Sequence, residues 1–168
     1  MKFAGLLLIL TAGVGLGLYA SHRLLSRVRI LEELERVFTA LLRQLTYTAA
    51  PMGQLWQRLG EIEGTGTCPL VRETVAGLSM QPFSAAFAEA VEKQSAAGRL
   101  QPSEKQLLLA FGAECGQYDL PRQAAQIEEC IRRLADLREA AKERFVTRGQ
   151  VYRMMGLCGG VALALLLL

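Results

Sequence analysis

The chain has 168 residues, enough for one domain of ordinary size, and a formal net charge of +3. Its 19 basic and 16 acidic residues nearly balance, which argues against a nucleic-acid-binding domain, because such a domain presents a one-sided basic face. One histidine and four cysteines without a CxxC spacing argue against structural zinc. The cysteines are better interpreted as buried free thiols in a reducing compartment. They are Cys68, Cys115, Cys130 and Cys158.

The N-terminal stretch from residue 3 to residue 20 carries no charge. As a helix it would extend about 27 Å, close to the roughly 30 Å of a hydrocarbon core. The sequence therefore predicts a transmembrane anchor over residues 1–21. A cleaved secretory signal is the alternative, because Lys2 precedes the apolar run, but Leu18 fits a cleavage site after Ala20 poorly.

The predicted helical domain covers residues 22–150. Its first helix runs to about Thr48 and shows an apolar stripe at helical spacing. Pro51 marks a break, because the residue before a proline is pushed out of helical geometry. Four shorter helices are predicted between Met52 and Gly116, and Gly98 is expected to cap the third of them. The apolar stripe of the first helix is Leu24, Val28, Leu31, Leu34, Phe38, Leu41 and Leu45.

The last helix is predicted to begin at Asp119, an N-cap residue type, with Pro121 in its first turn. Its own apolar stripe predicts that the two long helices pair side by side. The helix runs without a proline into residues 154–168, which carry no charge. The sequence therefore predicts a second transmembrane anchor over residues 151–168. The resulting expectation is an all-α bundle of about six helices, in which two long helices extend into N- and C-terminal transmembrane segments.

Two glycine pairs fall within the predicted anchors, Gly13 with Gly17 and Gly156 with Gly160. This spacing lets membrane helices approach closely, so the four residues are candidates for helix packing and for a homo-oligomer.

Basic residues flank the inner ends of both apolar runs, which predicts two membrane spans with the middle domain in the cytoplasm. Contact of these residues with the headgroups of the lipid bilayer is also expected. The flanking residues are Arg23, Arg27, Arg29, Lys142, Arg144, Arg148 and Arg153.

The sequence shows no catalytic, cofactor-binding or metal-binding pattern. His22 lies at the edge of the first apolar run, and the acidic residues mostly have basic residues three or four positions away. Such pairs are typical of a solvated helix surface. No glycine-rich phosphate-binding loop precedes a helix. The residues alone predict a helical adaptor and not an enzyme.

Two segments carry a resemblance to a known family. In the first, Tyr47 ends a helix and Pro51 opens the next; in the second, Phe111 is followed by Gly116, Asp119 and Gln123. With an apolar run at each end, the whole chain resembles stage III sporulation protein AB. It departs from the family pattern by two apolar exchanges, a cysteine at position 115 and a methionine at position 52.

The resemblance implies a role in endospore-forming bacteria, as a platform subunit of a secretion-like complex that links mother cell and forespore. The helical domain is similar to the cytoplasmic domains of type II secretion F proteins. The implied partners are a companion ATPase, similar to stage III sporulation protein AA, and other membrane components of the same complex. The helical domain is expected on the mother-cell side. Gly116, Asp119 and Gln123 are interpreted as a structural helix–turn–helix junction. The alternative function is a membrane-tethered sensor or regulatory protein.

Overall fold

The fold is all-α in the computed structural model of the chain. The structure describes the backbone of residues 2–48, 50–115 and 119–166, and the side chains of residues 25–48, 50–115 and 119–147. Six helices and no strand occur in this part of the chain, as the sequence predicts. They are α1 (Lys2–Thr48), α2 (Met52–Glu61), α3 (Pro69–Gly77), α4 (Phe83–Ala96), α5 (Pro102–Glu114) and α6 (Leu120–Leu166).

The chain forms two compact units. One consists of Met1–Arg29 together with Arg138–Leu168, and the other is Ile30–Leu137, which contains α2 to α5. The domain boundaries near residues 21 and 150 stay a prediction.

The prediction of two membrane spans, and with it of a two-span membrane protein with a cytoplasmic domain, is wrong. Among the residues whose side chains the structure describes, no helix is both long enough and apolar enough to cross a bilayer. In the described part of α1, charged residues such as Arg27, Glu32 and Arg36 recur every few residues, and the described part of α6 is similarly charged. The apolar runs 3–20 and 154–168 lie outside the residues whose side chains the structure describes.

The helix boundaries follow the five prolines. Pro69 and Pro102 occupy the first turns of α3 and α5, where a missing N–H costs no hydrogen bond. Pro51 and Pro82 directly precede α2 and α4. Pro121 stands in the first turn of α6. Each short helix therefore begins where a proline fixes the backbone.

Gly98 ends α4 as predicted. Its φ is +71°, in the left-handed region that favours glycine. Its N–H donates to the carbonyl of Ser95 at 2.9 Å, and the N–H of Arg99 donates to the carbonyl of Gln94 at 3.0 Å. This pair of bonds is a Schellman motif, which satisfies the last carbonyls of the helix.

Five aromatic rings form the centre of the unit Ile30–Leu137. Trp56 of α2 lies 5.2 Å from Phe87 of α4 and 6.4 Å from Phe38 of α1, measured between ring centroids. Phe111 of α5 meets Phe38 edge-on at 4.9 Å. Phe83 stacks on Phe87 at 5.5 Å. Trp56 is a core residue, because its side chain is completely buried.

Glycine lets neighbouring helices approach at two positions. A Cβ at Gly112 of α5 would lie 2.6 Å from Cδ1 of Phe87, and a Cβ at Gly77 of α3 would lie 2.9 Å from the Cβ of Ala86. Both distances are shorter than real Cβ contacts. The packing of α4 against α3 and α5 therefore requires a missing side chain on each neighbour.

Candidate functional site

No group of histidine, cysteine, aspartate or glutamate side chains in the described part of the chain could hold a metal ion. His22 is the only histidine of the sequence, and it lies outside the residues whose side chains the structure describes. Glu104 is fully buried, but it serves the helix start, since its Oε2 accepts the backbone N–H of Gln101 at 3.0 Å. Glu92 pairs with Lys105 at 2.7 Å on the surface between α4 and α5. These two acidic residues therefore have structural roles, Glu104 at the start of a helix and Glu92 in a surface ion pair.

A groove with a volume of about 340 Å³ lies between α5 and α6. We call it the α5–α6 groove. Its floor is apolar and its rim carries charges of both signs. The floor consists of Leu107, Ala110, Phe111, Ala125 and Cys130, and the rim of Glu114, Arg122, Gln126, Glu129 and Arg133.

The floor of the groove is fixed by the core beneath it. Phe111 is 6% exposed and meets both Phe38 and Phe87 edge-on. Cys130 is also buried, one helical turn from the fully buried Ile127. A floor held from below by rings and helices is preformed, because its side chains cannot move without disturbing the aromatic cluster.

The Gln126 carboxamide is the unusual polar group of the groove. Its Nε2 donates to Glu114 Oε2 at 2.5 Å, which joins α6 to α5. Its Oε1 is buried and has no hydrogen-bond partner within the described structure. The orientation of the amide is set by its neighbour, because a carboxylate accepts hydrogen bonds and would repel the oxygen. This oxygen is therefore a buried acceptor without a donor among the described residues.

The opposite end of the rim is an ion-pair group on α6. Glu129 accepts from Arg133 Nε at 2.8 Å and pairs with Arg132 at 2.7 Å. The hydrogen bond from Arg133, followed by the charge of Arg132, lowers the pKa of the Glu129 carboxyl. Both guanidinium groups therefore pair with the one carboxylate of Glu129.

Two cysteines lie near the groove and are unreactive in character. Burial raises the pKa of the Cys115 thiol to about 12, with a smaller contribution from Cys130. Burial likewise raises the pKa of Cys130 to about 12. Both are free thiols, as the sequence predicts, and burial also raises the pKa of the free thiol of Cys68. Because only a thiolate attacks or binds metal, these groups are structural near neutral pH.

The residues of the family motifs occupy helix ends. Tyr47, in the last turn of α1, is 85% exposed. The carbonyl of Pro51 accepts the N–H groups of Gln54 and Leu55. The carbonyl of Asp119 accepts those of Arg122 and Gln123 at the start of α6. The junction role of the second motif stays a prediction.

Five further candidates lie outside the description. Gly116 lies between α5 and α6, outside the residues that the structure describes, and the paired glycines lie in helical stretches whose side chains are not described. Their proposed roles in a turn and in helix packing therefore stay predictions. These glycines are Gly13, Gly17, Gly156 and Gly160.

Sequence reasoning missed the α5–α6 groove. The signal that could have indicated it is a mixed stripe, since Arg122, Gln126, Glu129 and Arg133 recur at helical spacing beside the small side chain of Ala125. A stripe of this kind on one helix is ordinary; only its apposition to α5 makes a groove.

Comparison with known proteins identifies the family. The sequence profile described as "Stage III sporulation protein AB (spore_III_AB)" matches residues 2–168. The chain belongs to the stage III sporulation protein AB family. The family resemblance noted in the sequence is thereby confirmed, and the protein takes its place among sporulation proteins.

A solved structure shares the fold. It is described as "Stage III sporulation protein AB (SpoIIIAB)", is 19% identical, and aligns with a TM-score of 0.62 over 71% of this chain and 96% of that chain. At this identity the match establishes the fold alone. A comparison with curated protein sequences finds no match.

Proposed function

We propose that this stage III sporulation protein AB family member is a non-enzymatic adaptor of a sporulation complex. We further propose that the complex is the secretion-like assembly between mother cell and forespore, and that the chain couples to its companion ATPase, similar to stage III sporulation protein AA. The observation that carries the proposal is the family match, which extends over residues 2–168.

The polar surface of the described residues supports an adaptor. Its charged side chains form pairs between neighbouring helical turns, such as Lys93 with Glu89 at 2.7 Å, and pairs between helices, such as Arg99 with Glu33 at 3.9 Å. Exposed pairs of this kind add little stability, about 0–1 kcal/mol each. They do give helix surfaces a charge pattern, which selects partners and speeds association.

Binding to the companion ATPase tests the proposal directly. We expect the purified full chain to bind the purified ATPase saturably and to change its rate of ATP hydrolysis, while the chain alone hydrolyses no ATP. Calorimetry and a phosphate-release assay measure the two effects. An unrelated ATPase serves as the control.

Absence of saturable binding would contradict the adaptor proposal. Recovery of the ATPase with tagged full-length chain from sporulating cells, at native expression, would support the same interaction in the complex. ATP hydrolysis by the chain alone would instead argue for an enzyme.

A further inference from the structure

We infer that the outward side of α1 is a docking surface for an acidic α-helix, which carries carboxylates seven residues apart. This surface consists of Arg36, Ala40, Arg43 and Tyr47, and we call it the Arg–Tyr face of α1. The inference goes beyond the proposed function, because it concerns the chemistry of the bound helix and holds whichever protein supplies that helix. All four residues belong to the compact unit Ile30–Leu137.

The Arg–Tyr face has the spacing of a helix-packing surface. Its members follow one another at intervals of four, three and four residues, which places them on one side of the helix over about 17 Å. The opposite side of the same helix belongs to the core, where Phe38, Leu41 and Leu45 are buried. The described part of α1 therefore has two sides with helical spacing, one packed in the core and one facing outward.

The profile of the face leaves room for a second helix. Arg36, Arg43 and Tyr47 are exposed, whereas Ala40, between the two arginines, is half-buried. Because the side chain of Ala40 is a single methyl group, the backbone of a partner can approach closely between the two guanidinium groups. Amphipathic helices contact a neighbouring helix through residues at this spacing.

The two arginines make the face positive. Among the described residues neither Arg36 nor Arg43 forms an ion pair, and Arg36 Nε donates only to the backbone carbonyl of Glu32, at 3.3 Å. Lys93, by contrast, already pairs with Glu89 on the surface of α4. Guanidinium groups without a carboxylate of their own chain are available to carboxylates of another chain, which they bind through two parallel hydrogen bonds.

The charges favour an acidic helix over an extended polyanion such as a nucleic acid. The unit Ile30–Leu137 contains ten basic and fourteen acidic residues, a net charge of −4, so as a whole it repels a polyanion. Arg36 and Arg43 stand about 10 Å apart along the helix axis. Carboxylates seven residues apart on a partner helix have the same spacing, so both pairs form together, as between the helices of a coiled coil.

Tyr47 supplies the large contact residue of the face. Its side chain is 85% exposed and adds nothing to the core, but its ring offers a broad apolar surface with a polar tip. Tyrosine and arginine are among the residue types that dominate the binding energy of interfaces. We therefore expect an apolar side chain on the partner helix, about one turn beyond the carboxylates, opposite Tyr47.

Two synthetic helical peptides test the inference on the purified full chain. The first carries two glutamates seven residues apart, with a leucine four residues outside each, so that either direction fits. The second has the same composition, but its glutamates are five residues apart and lie on different sides of the helix. We expect the first peptide to bind at least about fivefold more tightly at low ionic strength, and the difference to shrink in high salt. Fluorescence anisotropy measures both dissociation constants.

Charge reversal tests whether the Arg–Tyr face is the site. We expect R36E/R43E to weaken binding of the first peptide at least about tenfold, because both attractions become repulsions. R58E/R72E is the matched control, since it reverses two exposed arginines on α2 and α3 and changes the net charge equally. Its dissociation constant should stay within about twofold of the native value. A peptide with lysines in place of both glutamates should bind R36E/R43E at least about fivefold more tightly than it binds the native chain.

Tyr47→Ala tests the contact residue separately from charge. We expect it to weaken binding of the first peptide about threefold to tenfold, while the melting temperature of the free chain stays unchanged, because the side chain is exposed. A melting temperature that falls together with the affinity would contradict this role of Tyr47.

The outcomes decide the inference without reference to the ATPase. Equal binding of the two glutamate peptides overturns it, and so does equal weakening by R58E/R72E, because net charge would then explain the binding. Failure of both peptides to bind overturns it as well. Tighter binding of a single-stranded oligonucleotide than of the first peptide would assign the face to nucleic acid. A dimer of the native chain that R36E/R43E dissociates would assign it to a second copy of the chain.

Photo-crosslinking checks the same chemistry in sporulating cells. A benzoylphenylalanine in place of Tyr47 in the full chain should capture a peptide with two carboxylates seven residues apart, and R36E/R43E should abolish the capture. The same group at Ala76, an exposed residue of α3, is the control position. A captured peptide without such carboxylates, or equal capture from both positions, would overturn the inference.

Discussion

The thiols of Cys115 and Cys130 keep their protons far above neutral pH, because burial disfavours the charged thiolate. In the unfolded chain a thiol titrates near its ordinary value of 9.0, whereas in the folded chain both titrate near 12. Between these values the folded state binds more protons than the unfolded state. Their contribution to stability is therefore complete below pH 9 and is lost as the pH rises towards 12.

This difference predicts a pH dependence of the free energy of unfolding. We expect it to fall from about pH 8 to about pH 11, and to fall less steeply in the C115A/C130A double variant, which lacks both thiols. Urea titrations of the two chains over that range measure the slopes. Equal slopes would show that the two thiols ionise as readily in the folded chain as in the unfolded one.

At the scale of the helix, the close approach of α5 to α4 depends on Gly112. Gly112→Ala adds a Cβ against the ring of Phe87, which is itself held between Trp56 and Phe111, so the ring cannot easily move away. We expect a loss of about 1–3 kcal/mol in the free energy of unfolding, as for other overpacked cores.

Gly53→Ala is the matched control, because its new Cβ would meet only Leu78 Cδ2, at an ordinary 3.6 Å. There the better helix propensity of alanine should dominate, with an unchanged or higher free energy of unfolding, by at most about 1 kcal/mol. Denaturation in urea compares the two variants. A Gly112→Ala chain as stable as Gly53→Ala would mean that α4 and α5 are further apart than described.

Helix positions could be read from the sequence, because their signals are local. Proline fixes its own backbone angle, so Pro51, Pro69, Pro82 and Pro102 predict helix starts wherever the rest of the chain lies. Apolar periodicity predicts the buried stripe of α1, of which Val28, Leu31, Leu34, Phe38, Leu41 and Leu45 are buried. On α6 the buried residues are Ile127, Cys130 and Leu134, whereas the apolar side chain of Ile131 is only partly buried.

Contacts between helices could not be predicted in the same way. The contact of Gly112 with Phe87 and the hydrogen bond of Gln126 with Glu114 join residues from different helices. No local sequence pattern predicts such contacts. The α5–α6 groove was missed for this reason. The membrane spans were predicted from hydropathy alone, and the charges along the described parts of α1 and α6 do not support them.

At the scale of the whole fold, the aromatic cluster holds four helices together. Phe38 of α1 contacts Trp56 of α2 and Phe111 of α5, and it is completely buried. We expect Phe38→Ala to lower the free energy of unfolding by about 3–5 kcal/mol, because it leaves a cavity at the centre of the cluster. The fluorescence of Trp56, the only tryptophan, measures this transition.

Tyr47→Ala is the control on the same helix. Tyr47 is 85% exposed, so its removal should change the free energy of unfolding by no more than about 0.5 kcal/mol. A comparably large effect at both positions would show that α1 as a whole, and not the cluster, sets the stability.

The fold itself leaves the function open. A structure only 19% identical has the same arrangement, so the arrangement tolerates wide change of sequence. Function resides in surfaces that are built on such a scaffold.

The ring contacts also bear on how the protein is made. Phe38 emerges early from the ribosome, whereas Phe111, which covers it, is translated after α2, α3 and α4 are complete. Until α5 has cleared the exit tunnel, a nascent chain exposes one side of this aromatic cluster. Translation arrested before α5 should therefore leave a product that binds chaperones, whereas arrest after α5 has cleared the exit tunnel should not.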